Sequence, residues 1–248
     1  MTIPHPFFRC VRPGTDGDYT EGGRGKYVQH PAYAPDATHY IRAFALLQSD
    51  LLRLFEYVEP ADANEEAYSY RCLELLVRAC GEVEANCRAI LNANGFANPG
   101  RLGMAQYRKL NLTHHLSAYQ VRLPVWTGVN GARQPFAAWS LKESPEWFDA
   151  HHGGKHNRHA EFPKANLGNV VDAVSAVVAL LAAQFITHDY GPGSRGLAIE
   201  GDPTDGYEHA IGDYFEVKFP NDWLPEECYR FDWQTLAREP LPFRKLTF

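Results

Sequence analysis

The chain lacks most of the marks by which a chemistry is read directly. Five cysteines, at positions 10, 72, 80, 87 and 228, include no Cys-x-x-Cys pair and make no even set. They argue against a disulfide framework and for a reducing compartment. Positive charge is also scarce. A net charge of −6 argues against a protein that coats nucleic acid through bulk charge and leaves room only for a local basic cleft. The opening MTIPHPFFRC has no basic start and no apolar run of about 7–15 residues, as a secretory signal requires. No stretch offers the roughly 20 uninterrupted apolar residues of a membrane span. Internal repeats are missing, and GGRGKY at residues 22–27 lacks the Gly-Lys-Ser/Thr ending of a phosphate loop. A cytoplasmic protein with no cofactor and no membrane partner is expected.

What remains is apolar material in helical patterns. Of 248 residues, 45% are hydrophobic, enough for a substantial core. Residues 1–35 read as an irregular N-terminal arm, 36–190 as a helical bundle domain, and 191–248 as an irregular C-terminal extension packed on it. Asp36 is placed to cap a helix running to about Glu59, with Tyr40, Phe44, Leu47, Leu51 and Leu54 on one face. A second helix spans about 65–93, with Leu73, Leu76, Val77, Cys80, Val83, Cys87, Ile90 and Leu91 on its buried side. Asn94-Gly95 stops it. The short connection predicts antiparallel packing. Residues 101–117 read as helical. AYQVRLPVW, at 118–126, reads as at best an edge strand because of Pro124. Residues 214–219 are strand-like and could pair with that segment or form a small hairpin with 197–199.

Residues 144–190 organise the rest. Ser144-Pro145-Glu146 starts a short helix, which Gly153-Gly154 is expected to interrupt. Asn166 or Asn169 opens the most apolar helix, with Val170, Ala173, Val174, Val177, Val178, Leu181 and Phe185 at core spacing. Its few polar side chains are Asp172, Ser175 and Gln184, so other elements should enclose it.

Just before this core helix stand Lys155, His156, Asn157, Arg158 and His159. His151, His152, His156 and His159 invite a metal, but the glycine pair and the absence of a completing Cys or carboxylate argue against a closed site. Lys155 and Arg158 disfavour a cation and suit a phosphate. On the second helix Arg71, Glu74, Arg78 and Glu82 form an alternating stripe. It is either a solvated face of weak pairs or a cleft wall whose Arg71 and Arg78 face the Lys155–His159 cluster and help bind an anion.

Pro135-Phe-Ala-Ala-Trp139, Trp147, Lys155-His-Asn-Arg158, Phe162 and Ala165-Asn-Leu-Gly-Asn169 resemble a group of bacterial proteins with a Trp…Lys-His-x-Arg…Ala-Asn-Leu arrangement. That group is similar to the HEPN superfamily, helical bundles that include metal-independent RNases of toxin–antitoxin and phage-defence systems. The resemblance spans roughly residues 36–190. It implies a mainly α fold, a HEPN-like bundle of four to five helices, and a homodimer for which the aromatic-rich arms could supply the interface. It further implies that His156 moves protons and Arg158 offsets charge on an RNA phosphate, with Lys155, Asn157, His159, Arg71 and Arg78 binding the ligand. The superfamily order, Arg first and His five to seven positions later, occurs here at Arg24/His30 and at Arg108 with His114 or His115, as often as chance allows. The other reading of the Lys-His-x-Arg run is structural: a clasp that bonds across the bundle in a non-catalytic or protein-interaction module.

Overall fold

The most apolar segment of the chain becomes the centre of the fold. A computed structural model describes residues 2–19, 21–97, 102–188 and 205–248. In chain order the helices and strands are α1 (Ala37–Phe55), α2 (Tyr70–Ala93), α3 (Met104–Tyr107), α4 (Asn111–His114), β1 (Gln120–Arg122), β2 (Ala132–Arg133), α5 (Glu146–His156), α6 (Arg158–Glu161), α7 (Leu167–Phe185), β3 (Glu208–His209), β4 (Glu216–Lys218) and α8 (Trp233–Leu236). The architecture is chiefly helical, with one small antiparallel sheet.

α7 is buried on all sides, against α1, α2, α5 and the sheet. By length and composition it is a candidate membrane span, contrary to the reading above, but 94% of its apolar window lies inside the fold. Asn166 caps it, its side chain accepting the Asn169 N–H at 2.9 Å. α1 and α2 are antiparallel neighbours. Tyr40 shares a groove with Arg88, Asp50 pairs with Arg78, and Leu54 lies near Leu75. α2 starts at Ser69, which caps Cys72 N–H at 3.1 Å, rather than near residue 65. Gly95, at φ +74°, takes the left-handed position after its end. Val77, expected inside, is 39% exposed.

Two local expectations fail for long-range reasons. Asp36 precedes α1 but makes no side-chain cap, because its carboxylate pairs with Arg9. β1 is an interior strand, in the order β2-β1-β4-β3. Its three residues end before Pro124, so both ladders keep their N–H donors. Val121 faces Val217 across the β1–β4 pair, and both are fully buried. The second neighbour of β4 is β3; residues 197–199 and the expected boundary at 190–191 lie outside the described residues.

The arms are knitted together. Val11 donates to Ala183 C=O at the end of α7 (2.9 Å), Ile3 to Cys228 C=O (3.0 Å), Arg230 to Ile3 C=O (2.9 Å) and Phe8 to Arg244 C=O (3.1 Å). Tyr27 stacks edge-on against Tyr33, Tyr229 and Phe231 at 5.5–5.8 Å, and Trp233 meets Phe243 at 5.8 Å. The rings expected at a dimer interface thus pack on one another within one chain.

Candidate functional site

The spacing of Trp139 and Trp147 is explained first by packing. Trp147, in the first turn of α5, is buried and donates its indole N–H to Pro135 C=O at 2.8 Å. Its ring meets Phe136 at 5.9 Å, and Phe136 meets Trp139 at 4.4 Å. This block fixes the start of α5. Ser144 donates to the Asp149 carboxylate at 2.7 Å instead of capping a backbone amide.

α5 then runs unbroken through Gly153-Gly154 to His156, correcting the expected interruption. Glycine costs a helix roughly 1 kcal/mol per position, and here both glycines stand close against neighbouring side chains. A Cβ on Gly154 would lie 2.9 Å from Leu73 Cδ1, and one on Gly153 would lie 3.0 Å from Glu161 Cγ. The break comes at Asn157, whose N–H bonds Gly153 C=O at 2.7 Å and whose C=O accepts from Ala160 and Glu161 at 3.2 and 3.1 Å. α6 therefore folds back on α5 as an elbow. A one-turn 3-10 segment, Phe162–Lys164, leads into α7, and Asn169 ties it down by donating to Lys164 C=O at 2.8 Å.

Asn157 and His159 are exposed at this elbow. The backbone of Lys155, His156 and Arg158 belongs to α5 and α6, while their side chains lie outside the described part of the structure. Beside the elbow stands an aromatic group that the sequence reading missed. Phe162 packs on Tyr70 at 4.7 Å, tilted 40°, and edge-on to Tyr68 at 5.3 Å. Tyr68 and Tyr70 are 51% and 63% exposed. The only hint in the sequence was aromatic residues flanking Ser69, at a boundary placed five residues too early. Of the nearby carboxylates, Glu161 pairs with Lys164 (2.6 Å), Glu66 accepts from Asn166 (3.0 Å), and Glu65 accepts from Asn130 and Arg133, while Glu146 and Asp149 also act on Lys164.

Arg71 and Arg78 do not join this cluster. Leu73 faces α5, and at 3.6 residues per turn the two arginines stand roughly 140–160° around α2 from it. Arg71 pairs with Glu74 (2.9 Å), Arg78 pairs with Asp50, and Arg71 and Asp50 line the α1–α2 groove with Arg53 and Tyr57. The cleft-wall arrangement is thus replaced by paired charges facing α1. The described members of the alternative Arg/His pairs are engaged elsewhere. Arg108 bonds Lys142 C=O, and His114 is fully buried between Thr113 Oγ1 and Arg9 C=O. His115 stacks on Trp223 at 4.0 Å and meets Asp222 at 2.9 Å. His30 sits among Trp233 and Phe243, and the side chain of Arg24 lies outside the described residues.

Two polar residues of α7 join it to other segments. Gln184 accepts from Arg9 (2.8 Å) and donates to Asn86 (2.9 Å). Asp172 lies 3.5 Å from Arg133, whose guanidinium also bonds Glu65 and covers the Trp126 ring at 4.6 Å. Burial raises the Asp172 carboxyl to about 6 despite Arg133; Glu65 and Glu146 add to the rise. In the N-terminal arm burial pushes the Cys10 thiol up, but His114 and Arg12 outweigh it and bring the thiol down to about 6. Among the described residues no group of three or more His, Cys, Asp or Glu side chains is arranged to hold a metal.

No protein-family model, curated protein or solved structure matches the chain.

Proposed function

We propose that the α5–α6 elbow is a binding surface for single-stranded RNA. The observation that carries this reading is the exposed pair Tyr68 and Tyr70, packed on Phe162 next to the backbone of Lys155, His156, Arg158 and His159. Aromatic faces stack unpaired bases with little regard to sequence, while neighbouring cations follow the phosphates. Two carboxylates by the elbow, Glu161 and Glu65, are neutralised by Lys164 and Arg133, which removes part of the repulsion that a net charge of −6 would otherwise impose. The HEPN resemblance extends the proposal to metal-free cleavage, in a homodimer and a defence or toxin–antitoxin setting. His156 would take the proton of the attacking 2′-hydroxyl, and Arg158 would offset charge on the phosphate. A non-catalytic, structural role for the same run is favoured by one fact: Asn157 and the Gly154–Leu73 fit already make the elbow a tight helix junction.

Titration of a labelled unstructured RNA in EDTA tests the proposal. Tyr68→Ala and Tyr70→Ala should each weaken binding by about 1–3 kcal/mol per stacked base, and Lys155→Ala and Arg158→Ala should flatten the salt dependence. Binding that is unchanged in both tyrosine variants would overturn it. RNA cleavage abolished by His156→Ala and by Arg158→Ala, with thermal stability kept, would support the catalytic extension; marked destabilisation without cleavage in the wild type would favour the structural reading.

A further inference from the structure

A concave site lies at the end of α2 remote from the elbow. A groove of ≈ 750 Å³ opens between the N-terminal arm, the start of α1 and the C-terminal half of α2, a volume in the range of small-molecule sites. Arg88, which lines it, is fifteen residues beyond Leu73, or about 22 Å along the helix, so the groove is separate from the elbow. One wall is the aromatic face of Tyr40 and the other is α2 at Ala85 and Ala89, where short side chains leave the space open.

At its base is Arg9, whose side chain is 3% exposed. Its backbone is left-handed, φ +52°, a conformation unfavourable for a residue with a Cβ. The guanidinium is held by the Gln184 side chain at 2.8 Å, by Asp36, and by the Tyr40 ring at 5.0 Å. This strained and fully engaged residue makes a rigid floor. Asp36 neutralises it and keeps its own carboxylate about half exposed (48%) beside the groove. The remaining guanidinium is that of Arg88, on which Glu84 acts from one turn earlier in α2. Arg88 is exposed and donates to the Tyr107 hydroxyl at 3.2 Å. Among the described residues no carboxylate lies within ion-pair distance of it.

We infer that this groove binds a small organic anion, with an aryl or short acyl body lying between Tyr40 and the α2 alanines and a carboxylate or phosphate head on Arg88. A guanidinium fork suits either head group bidentately. The apolar walls supply contact area, and the Arg9–Asp36 pair closes the floor without adding net charge.

Calorimetric titration of the full chain with phenylacetate, phenyl phosphate and neutral phenylacetamide tests this and shows which head group is preferred. The expected result is saturable one-to-one binding of at least one anion. The amide, and either anion with Arg88→Gln, should bind at least about tenfold more weakly, the share of one charge-assisted hydrogen bond. Ala89→Trp should fill the groove and abolish binding with an unchanged thermal midpoint; Arg88→Gln, at an exposed position, keeps the test decisive if Ala89→Trp unfolds. No saturable heat with either anion, equal binding of anion and amide, or wild-type affinity in Arg88→Gln would overturn the inference. RNA binding at the elbow should be unaffected by both variants, so the two proposals fail separately.

Discussion

Leu73 Cδ1 stands 2.9 Å from the point where a methyl group on Gly154 would lie, so α2 and α5 meet through a residue without a side chain. The contact sets how closely the elbow approaches Tyr70. Gly154→Ala gains up to about 1 kcal/mol of helix propensity but forces a buried leucine aside, which costs about 1–3 kcal/mol. A net loss of about 1 kcal/mol is expected in urea denaturation.

Gly81 gives the opposite sign. It lies in the middle of α2, exposed, with nothing within 4 Å of an added Cβ. Gly81→Ala should stabilise the protein by about 0.5–1 kcal/mol. If both alanine variants shift the urea midpoint in the same direction, the packing account of Gly154 is wrong.

Gln184 joins three segments by bonding Arg9 and Asn86 while its own backbone C=O accepts the Tyr33 hydroxyl. Gln184→Leu keeps much of the volume but removes the acceptor of one Arg9 N–H and the donor to the Asn86 carbonyl oxygen, while the Arg9–Asp36 pair remains. A loss of about 1–3 kcal/mol is expected, as when a buried hydrogen-bonding group loses its partner, read as a fall in thermal midpoint. A shift no larger than that of an exposed substitution would show that water reaches Arg9.

Asp172 makes stability depend on mild acid. Its carboxyl sits at about 6 in the fold against an ordinary 3.8, with Arg133, Glu65 and Glu146 facing it. The folded state therefore holds a proton that the unfolded state has released. That contribution is present below the ordinary value and is lost as pH rises towards 6. Asn cannot ionise, so the stability of Asp172→Asn relative to wild type should increase from about pH 4 to about pH 6. A difference that stays flat across this window would contradict the burial assigned to the carboxyl.

The five cysteines are all buried. Even Cys10, lowered to about 6, is 0% exposed, so access and not thiolate fraction should limit its chemistry. Labelling of the native protein with an aromatic disulfide reagent should follow unfolding and accelerate in urea in step with it. Rapid labelling of one thiol in the native protein would show a route into the arm.

The helices were legible wherever one face alone decides the outcome. The stripe from Leu73 to Leu91, the cap at Asn166 and the Asn94-Gly95 stop follow from spacing and local hydrogen bonding, whereas the Ser69 cap was missed and the start of α2 was placed too early. What else escaped was set by partners far away in the chain. Asp36 looked like a cap until Arg9 claimed it, and Gly153-Gly154 looked like a break because nothing local indicates that Leu73 and Glu161 press on them. The same holds for the candidate site. Its cationic run was visible, but Arg71 and Arg78 could be assigned a direction only once Asp50 and Glu74 were placed. Tyr68 and Tyr70 gained meaning only from Phe162.

The knitting of the two arms also fixes an order of events. Tyr229 accepts from Phe7 N–H and donates to Cys10 C=O, across 222 and 219 residues. At a synthesis rate of about 5–20 residues per second, the N-terminal segment waits roughly 10–45 s for that tyrosine. During the wait α1, α2, α5 and α7 can already assemble, while Tyr27 and Tyr33 have only each other and lack the rings of Tyr229, Phe231 and Phe243. The end of the chain therefore governs when its beginning ceases to be a sticky tail, and the ribosome-bound interval is when this protein is most exposed to misassociation.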